Sequence, residues 1–294
     1  MSKRVNLASR HESQDFAESS GLLTKSDKEL AFLQDLFIAA DWGERFAELV
    51  DKHVQLPKKG RVLYAGAGTG SHAMALRERA GPELEFLCLD ENEECVELAR
   101  AKVVTLKDPA DFQSGTLDSL EADDGYFDLV ISDASLVGPE RVAAIISELV
   151  RVAMPGGTVA LTLPTSSSFG EFFSIYWEAL HSSDIADHEV DVEDLITELP
   201  TVSEVERVAA GEGLEDIASW TQIEEFDYES GEDFLRAPLI SDFLMKGWLR
   251  SIPSDQQQRL TQEIAKLINE ERHNAEFSLT VKATLLVGRK AGSN

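Results

Sequence analysis

Along the first fifty residues, apolar side chains recur at helical intervals. Leu30, Leu33 and Phe37, then Phe46, Leu49 and Val50, fall three and four positions apart, which predicts helix from about residue 22 to 54. Asp41-Trp42-Gly43 predicts a break that divides this stretch in two. Pro57, Gly60 and two lysines mark a turn. Short apolar runs then follow at 61–66, 84–90, 127–134 and 158–164, with a weaker one at 111–114. Helical segments separate them, and Pro155-Gly156-Gly157 reads as the stop of the one at 139–154. Strands alternating with helices predict βαβ units, hence a parallel sheet covered on both faces.

Beyond Pro164 the character shifts. An aromatic helical segment carries Phe169, Phe172, Phe173, Tyr176 and Trp177, whose spacing reads as core. Between Glu171 and Leu235 there are twenty Asp and Glu against one basic residue, Arg207, which reads as a solvated face. Two helices are predicted near 232–250 and 254–273. In 277–290 apolar and polar residues alternate, the signature of an antiparallel strand.

The formal net charge of −27 over 294 residues argues against partners that are nucleic acids, because no basic strip offsets it. No run approaches the roughly 20 apolar residues of a membrane span, so the chain is expected to be cytoplasmic. Cys88 and Cys95 form neither a disulfide framework nor a metal-ligand spacing, and no metal site is expected.

The chemistry concentrates at Val62-Leu63-Tyr64-Ala65-Gly66-Ala67-Gly68-Thr69-Gly70. A buried strand runs into three alternate glycines and then a helix. Such a loop admits a ligand close to the main chain, beside the positive end of the helix. The next strand ends in Asp90, which either caps the following helix or, as in doubly wound sheets, accepts both hydroxyls of a ribose. The spacing is G-x-G-x-G, with Ser71 where a dinucleotide fingerprint has its last glycine.

This segment resembles the first motif of class I S-adenosylmethionine-dependent methyltransferases. Gly115-Thr116-Leu117 with the run at 125–136, Pro155-Gly156-Gly157 with its flanks, and the closing strand 277–290 are similar to that family's later segments in order. The resemblance implies a Rossmann-like, doubly wound α/β sheet of seven strands with an antiparallel last strand and a helical lid. Residues 1–55 would be an N-terminal tail and lid segment. Residues 56–294 would be the methyltransferase domain, with inserted helices at about 230–273. It implies S-adenosyl-L-methionine as cofactor, contacted by Tyr64, Gly66, Ala67, Gly68, Gly70, Asp90, Glu91, Thr116, Leu117 and Asp133. Gly66, Gly68 and Gly70 would line the methionine part, Asp90 would take the ribose hydroxyls, and Glu91, Thr116 and Leu117 would border the adenine. Asp133 would lie where cofactor and acceptor meet.

Two positions depart from the family pattern: Tyr64 stands where an acidic residue is usual, and Thr116 where Asp is frequent. Asp133, His181 and His188 are the candidate catalytic groups, whereas His72, at the start of the helix after the glycines, reads as an exposed helix histidine. The helices at 22–55 and 230–273 would surround a small-molecule acceptor methylated on O, N or C. The departures also support a second reading, a methyltransferase-like binding or regulatory module without catalysis.

Overall fold

The computed structural model describes residues 25–104, 110–183, 189–271 and 276–292. Helix α1 (Asp27–Leu33) passes through a π-helical stretch (Gln34–Gly43) into α2 (Glu44–His53). The sheet-forming part then runs β1 (Gly60–Ala65), α3 (Ser71–Arg79), β2 (Leu84–Asp90), α4 (Glu93–Val103), β3 (Asp111–Ser114), β4 (Phe127–Asp133), α5 (Val142–Val152) and β5 (Ala153–Pro164). Three helices follow, α6 (Gly170–Ser182), α7 (Glu189–Glu198) and α8 (Val202–Gly211), and then β6 (Leu214–Tyr228). A helical insertion of α9 (Gly231–Arg236), a second π turn (Leu239–Leu244), α10 (Met245–Trp248) and α11 (Ser254–Glu271) leads to β7 (Phe277–Lys290).

Among the described residues the strands form one seven-stranded sheet in the order β3-β2-β1-β4-β5-β7-β6. Strands β1 to β5 pair in parallel, and β7 inserts antiparallel between β5 and β6. The alternation of each strand divides its side chains between two cores. Val62, Tyr64, Leu129 and Ile131 face the layer that holds α2 and α6, while Leu63, Ala65, Val130 and Val159 face α5 and α8. No helix of the described residues is long and apolar enough to cross a membrane.

Several expectations need correction. Asp41-Trp42-Gly43 does not break the N-terminal helix, which continues through the π turns. Ile38, Trp42 and Phe46 are buried at steps of four. That step drifts around a helix of 3.6 residues per turn, and a wider turn keeps the three on one face. Pro155-Gly156-Gly157 does not end a helix either: it lies inside β5, where the pairing register with β4 shifts and Gly156 has φ +79°. The helix expected at 232–250 is three short pieces. Residues 214–228, inside the window read as a solvated acidic face, form the edge strand β6. Glu224 there binds Arg45 at 2.8 Å, and Trp220 stacks on His53 with ring centroids 4.1 Å apart. The aromatic segment is core as expected, with Phe172 stacked on Trp248 at 4.1 Å.

Trp42 fastens the N-terminal helix to the sheet. It is 1% exposed, packs on Phe46, Phe169 and Phe226, and donates its indole N–H to Ser135 Oγ at 2.9 Å. Trp42→Ala is expected to cost about 3–5 kcal/mol, measured from the guanidinium unfolding midpoint. A loss below about 1 kcal/mol would mean that the helix is only loosely attached.

Candidate functional site

Strand β1 delivers the glycine loop to the carboxyl end of the sheet. Gly66, Gly68 and Gly70 have φ of +77°, +54° and +83°, where a Cβ is disfavoured. At Gly66 a Cβ would lie 2.3 Å from the carbonyl oxygen of Asp133, so β1 and β4 approach as closely as main chains allow. At Gly70 it would meet Met74 and the Phe112 ring at 2.7 Å. Those two glycines are therefore demanded by packing. At Gly68 the neighbour is different: the side-chain amide of Gln34, from the N-terminal helix, at 2.7 Å.

Asp90 points back at this loop. Its Oδ2 accepts the Gly68 N–H at 2.6 Å and its Oδ1 the Asn92 N–H at 3.0 Å, while Asn92 itself caps α4. Burial raises the Asp90 carboxyl above the usual carboxylate range, and the two backbone amides act against that. Glu91 is committed elsewhere, gripped by both terminal nitrogens of Arg141 and by the Leu117 N–H at 3.0 Å. The Arg141 guanidinium holds the Glu91 carboxyl below its ordinary value. Arg141 also binds Asp118 at 2.9 Å, and exposed Thr116 donates to the Ser119 carbonyl at 3.1 Å.

A cavity of about 440 Å³ lies over the loop. Its floor is Gly66, Ala67 and Gly68, and one wall is Asp133, Ser135 and Leu136 from the end of β4. Another wall is Ser71 and His72 at the start of α3, and the roof is the N-terminal helix from Gln34 to Asp51. Apolar Ile38, Ala39, Trp42 and Ala47 share the lining with Asp35, Glu44, Glu48, Asp51 and Asp133, and no lysine or arginine among the described residues belongs to it. Three of these carboxylates have cations beside them. Asp35 pairs with Lys102 and accepts from Thr69 at 2.5 Å, Asp51 pairs with Arg79, and Glu48 pairs with Lys52. Among the described residues Asp133 has no cation in an ion pair with it. Its Oδ1 accepts from the Ser135 N–H at 2.9 Å and Thr162 Oγ1 at 3.3 Å, and burial pushes its carboxyl above the usual range.

One chain of hydrogen bonds in the wall was not legible in the sequence. Tyr64 Oη lies 2.9 Å from His72 Nδ1, and His72 Nε2 lies 3.0 Å from Asp51 Oδ1. His72, expected on an exposed face, has a side chain only 15% accessible.

Of the expected cofactor residues, the structure brings Tyr64, Gly66, Ala67, Gly68 and Asp133 to the cavity. Gly70, Asp90, Glu91, Thr116 and Leu117 are outside its lining. Gln34 stands at the border, packed on Gly68 and accepting from the Cys95 thiol at 3.2 Å. His181 sits at the exposed end of α6, beside Trp177 and away from the cavity. His188 is outside the described residues. The described residues of the insertion, 230–271, do not line the cavity, contrary to expectation. They pack against the same helical layer, with Asp242 paired to Lys25.

Residues 62–157 match a family model described as a methyltransferase domain. The chain is 30% identical over 121 residues to the demethylmenaquinone methyltransferase of Lactococcus lactis, which is 40% of this chain and 48% of that protein. It thus spans about half the length of the curated relative it matches. Among solved structures it is similar to the YcgJ protein of Bacillus subtilis, with TM-score 0.56, 19% identity, and 85% of this chain and 100% of the other covered. It is also similar to Haemonchus contortus phosphoethanolamine N-methyltransferase 2 in complex with S-adenosyl-L-methionine. There the TM-score is 0.52 at 16% identity, over 90% of this chain and 57% of the other. At these identities the structural likeness establishes the fold, a Rossmann-like sheet with an antiparallel last strand.

The residues fit an adenosyl amino acid on one condition. The open main chain at Gly66–Gly68 and the unpaired charge of Asp133 suit its cationic end, whereas the path towards Asp90 leads past Gln34. Removing that amide should therefore help binding. Gln34→Ala is expected to tighten S-adenosylhomocysteine binding about three- to tenfold, equivalent to about 0.7–1.4 kcal/mol, by titration calorimetry. Weaker binding would show that Gln34 is a ligand instead.

Proposed function

We propose that this chain, whose residues 62–157 match a methyltransferase domain, is an S-adenosylmethionine-dependent class I methyltransferase that moves the cofactor's methyl group to a small molecule held beneath the N-terminal helix. The observation that carries this reading is the roofed cavity itself. It has room for a small molecule beside the glycine loop, and its mixed apolar and acidic lining suits a neutral or cationic acceptor. The absence of lysine and arginine from that lining weighs against acceptors bearing phosphate or carboxylate, phosphoethanolamine among them.

When bound, the cofactor supplies an activated methyl group on a sulfonium. The chain's own part is to bind, align and exclude water. Gly66 to Gly68 offer main chain without side-chain obstruction, and Asp133 offers a negative charge to a cationic group. Asp90 fixes Gly68 and, once Gln34 withdraws, turns its remaining lone pairs to a sugar. The helix from Gln34 to Asp51 lies over the cavity and shields part of it from water. Alignment of this sort lowers a two-body barrier by about 7–11 kcal/mol at best. We assign the lid to this N-terminal helix alone. The second reading, a binding module without catalysis, draws on Tyr64 in place of an acid and on Gln34 lying over Gly68.

Titration calorimetry separates the two. S-adenosylhomocysteine is expected to bind at micromolar concentration and Asp133→Asn to weaken it about tenfold (about 1.4 kcal/mol). Absence of heat at millimolar ligand would favour the module. The pH dependence has a definite sign. Protonation of Asp133 removes the negative charge, so affinity falls as pH drops through its raised value. Asp133→Asn should lose that dependence. An unchanged slope in the variant would exclude Asp133 as its source.

A further inference from the structure

The wall of the cavity contains a hydrogen-bonded chain that alignment of a methyl donor does not require. Tyr64 is 4% exposed and lines the cavity. Its hydroxyl meets His72 Nδ1 at 2.9 Å, His72 Nε2 meets Asp51 Oδ1 at 3.0 Å, and Asp51 pairs with Arg79 at the protein surface. Three elements build it: the last turnings of β1, the second residue of α3, and the final turn of α2.

The proton positions follow from chemistry. Burial pushes the Asp51 carboxyl up, but hydrogen bonds from Arg79 and His72 outweigh this and hold it below its usual value, so Asp51 is ionised. An ionised carboxylate 3.0 Å from Nε2 requires a proton on that nitrogen. A neutral His72 then has a bare Nδ1, and the Tyr64 hydroxyl must donate to it. The lone pairs of Tyr64 Oη are left as acceptors, and Tyr64 belongs to the cavity lining. Burial, with Asp133 next, drives the phenol far above its ordinary pKa, so Tyr64 does not rest as a phenolate. It is suited to pass a proton on, and His72 to keep it.

We propose that Tyr64, His72 and Asp51 form a general-base relay, and that the acceptor of this domain is therefore a hydroxyl compound without negative charge. This rests on the methyl-transfer reading and adds to it the class of acceptor. The acceptor O–H gives its proton to Tyr64 Oη while the Tyr64 proton moves to His72 Nδ1. The freed oxygen electron pair bonds to the methyl carbon, and the carbon–sulfur bond breaks with its pair retained by sulfur. Nothing is oxidised or reduced, and the one proton released ends on an imidazolium neutralised by Asp51. Tyr64 is the catalytic residue, touching the acceptor; His72 and Asp51 act through it. The ionisable and charged groups around His72 are Asp51 and Glu48 of α2, Tyr64 of β1, Asp133 at the end of β4, and Arg79 of α3.

The test uses the full chain, radiolabelled S-adenosylmethionine, and three phenols that differ in charge: tyramine, 4-ethylphenol and 4-hydroxyphenylacetate. Oxygen methylation of the first two and not the third is expected. Tyr64→Phe and His72→Gln should each lower kcat about 100-fold, a loss larger than any change in S-adenosylhomocysteine affinity. Independently of turnover, ¹⁵N NMR of the ligand-free protein should show His72 protonated on Nε2 and bare on Nδ1. The opposite tautomer overturns the relay, as do unchanged rates in the variants. Labelling of the tyramine nitrogen, or of no phenol by a protein that binds S-adenosylhomocysteine, also overturns it. Failure to bind S-adenosylhomocysteine at all would instead remove the methyl-transfer reading beneath it.

Discussion

The attachment of Trp42 to the end of β4 is the contact on which the site depends. The glycine loop and the strand ends would otherwise form an open shelf. With the indole buried among Phe46, Phe169 and Phe226 and bonded to Ser135, a helix of the N-terminal segment lies across that shelf. The roof, the apolar half of the lining and the carboxylates of Glu48 and Asp51 all come with it. Its register is set by the π-helical turns, which keep Ile38, Trp42 and Phe46 on one face. Such turns are energetically poor in isolation and persist where packing holds them.

The same attachment explains the electrostatics. A chain with formal charge −27 has every reason to keep carboxylates apart, yet five of them border one cavity. Lys102 and Arg79 neutralise Asp35 and Asp51 from behind, and Lys52 pairs with Glu48 at 2.9 Å. Half-buried Asp133 faces the cavity with neutral donors, Ser135 and Thr162. A cationic ligand would remove the cost of that burial, because it restores the pairing that the protein withholds.

The parts of this structure that are local were legible in the sequence. Alternating strands and helices from β1 to β5 follow from residues adjacent in the chain, as does the period of two in β7. The glycine loop declared itself by spacing, although Gly66 and Gly70 turn out to be required by Asp133, Met74 and Phe112. Strand β6 was hidden because it is an edge strand, paired only with β7, whose acidic side chains read as a solvated surface. The roof was hidden for another reason. Gln34 meets Gly68, His72 meets Asp51 and Tyr64 meets His72 only after the chain has folded, and no short pattern announces contacts between residues 34, 21 and 8 positions apart. Tyr64 looked like a loss when compared with an acidic residue. In place, it is one end of a polar chain that reaches the surface.

A crystal structure of the full chain with S-adenosylhomocysteine bears most directly on the central claim, that this roofed loop receives an adenosyl amino acid. Density is expected with the amino-acid end over Gly66 to Gly68 beside Asp133, the sugar towards Asp90, and Gln34 moved off Gly68. A ligand bound elsewhere, or a cavity in which Gln34 still covers Gly68 at saturating ligand, would contradict it.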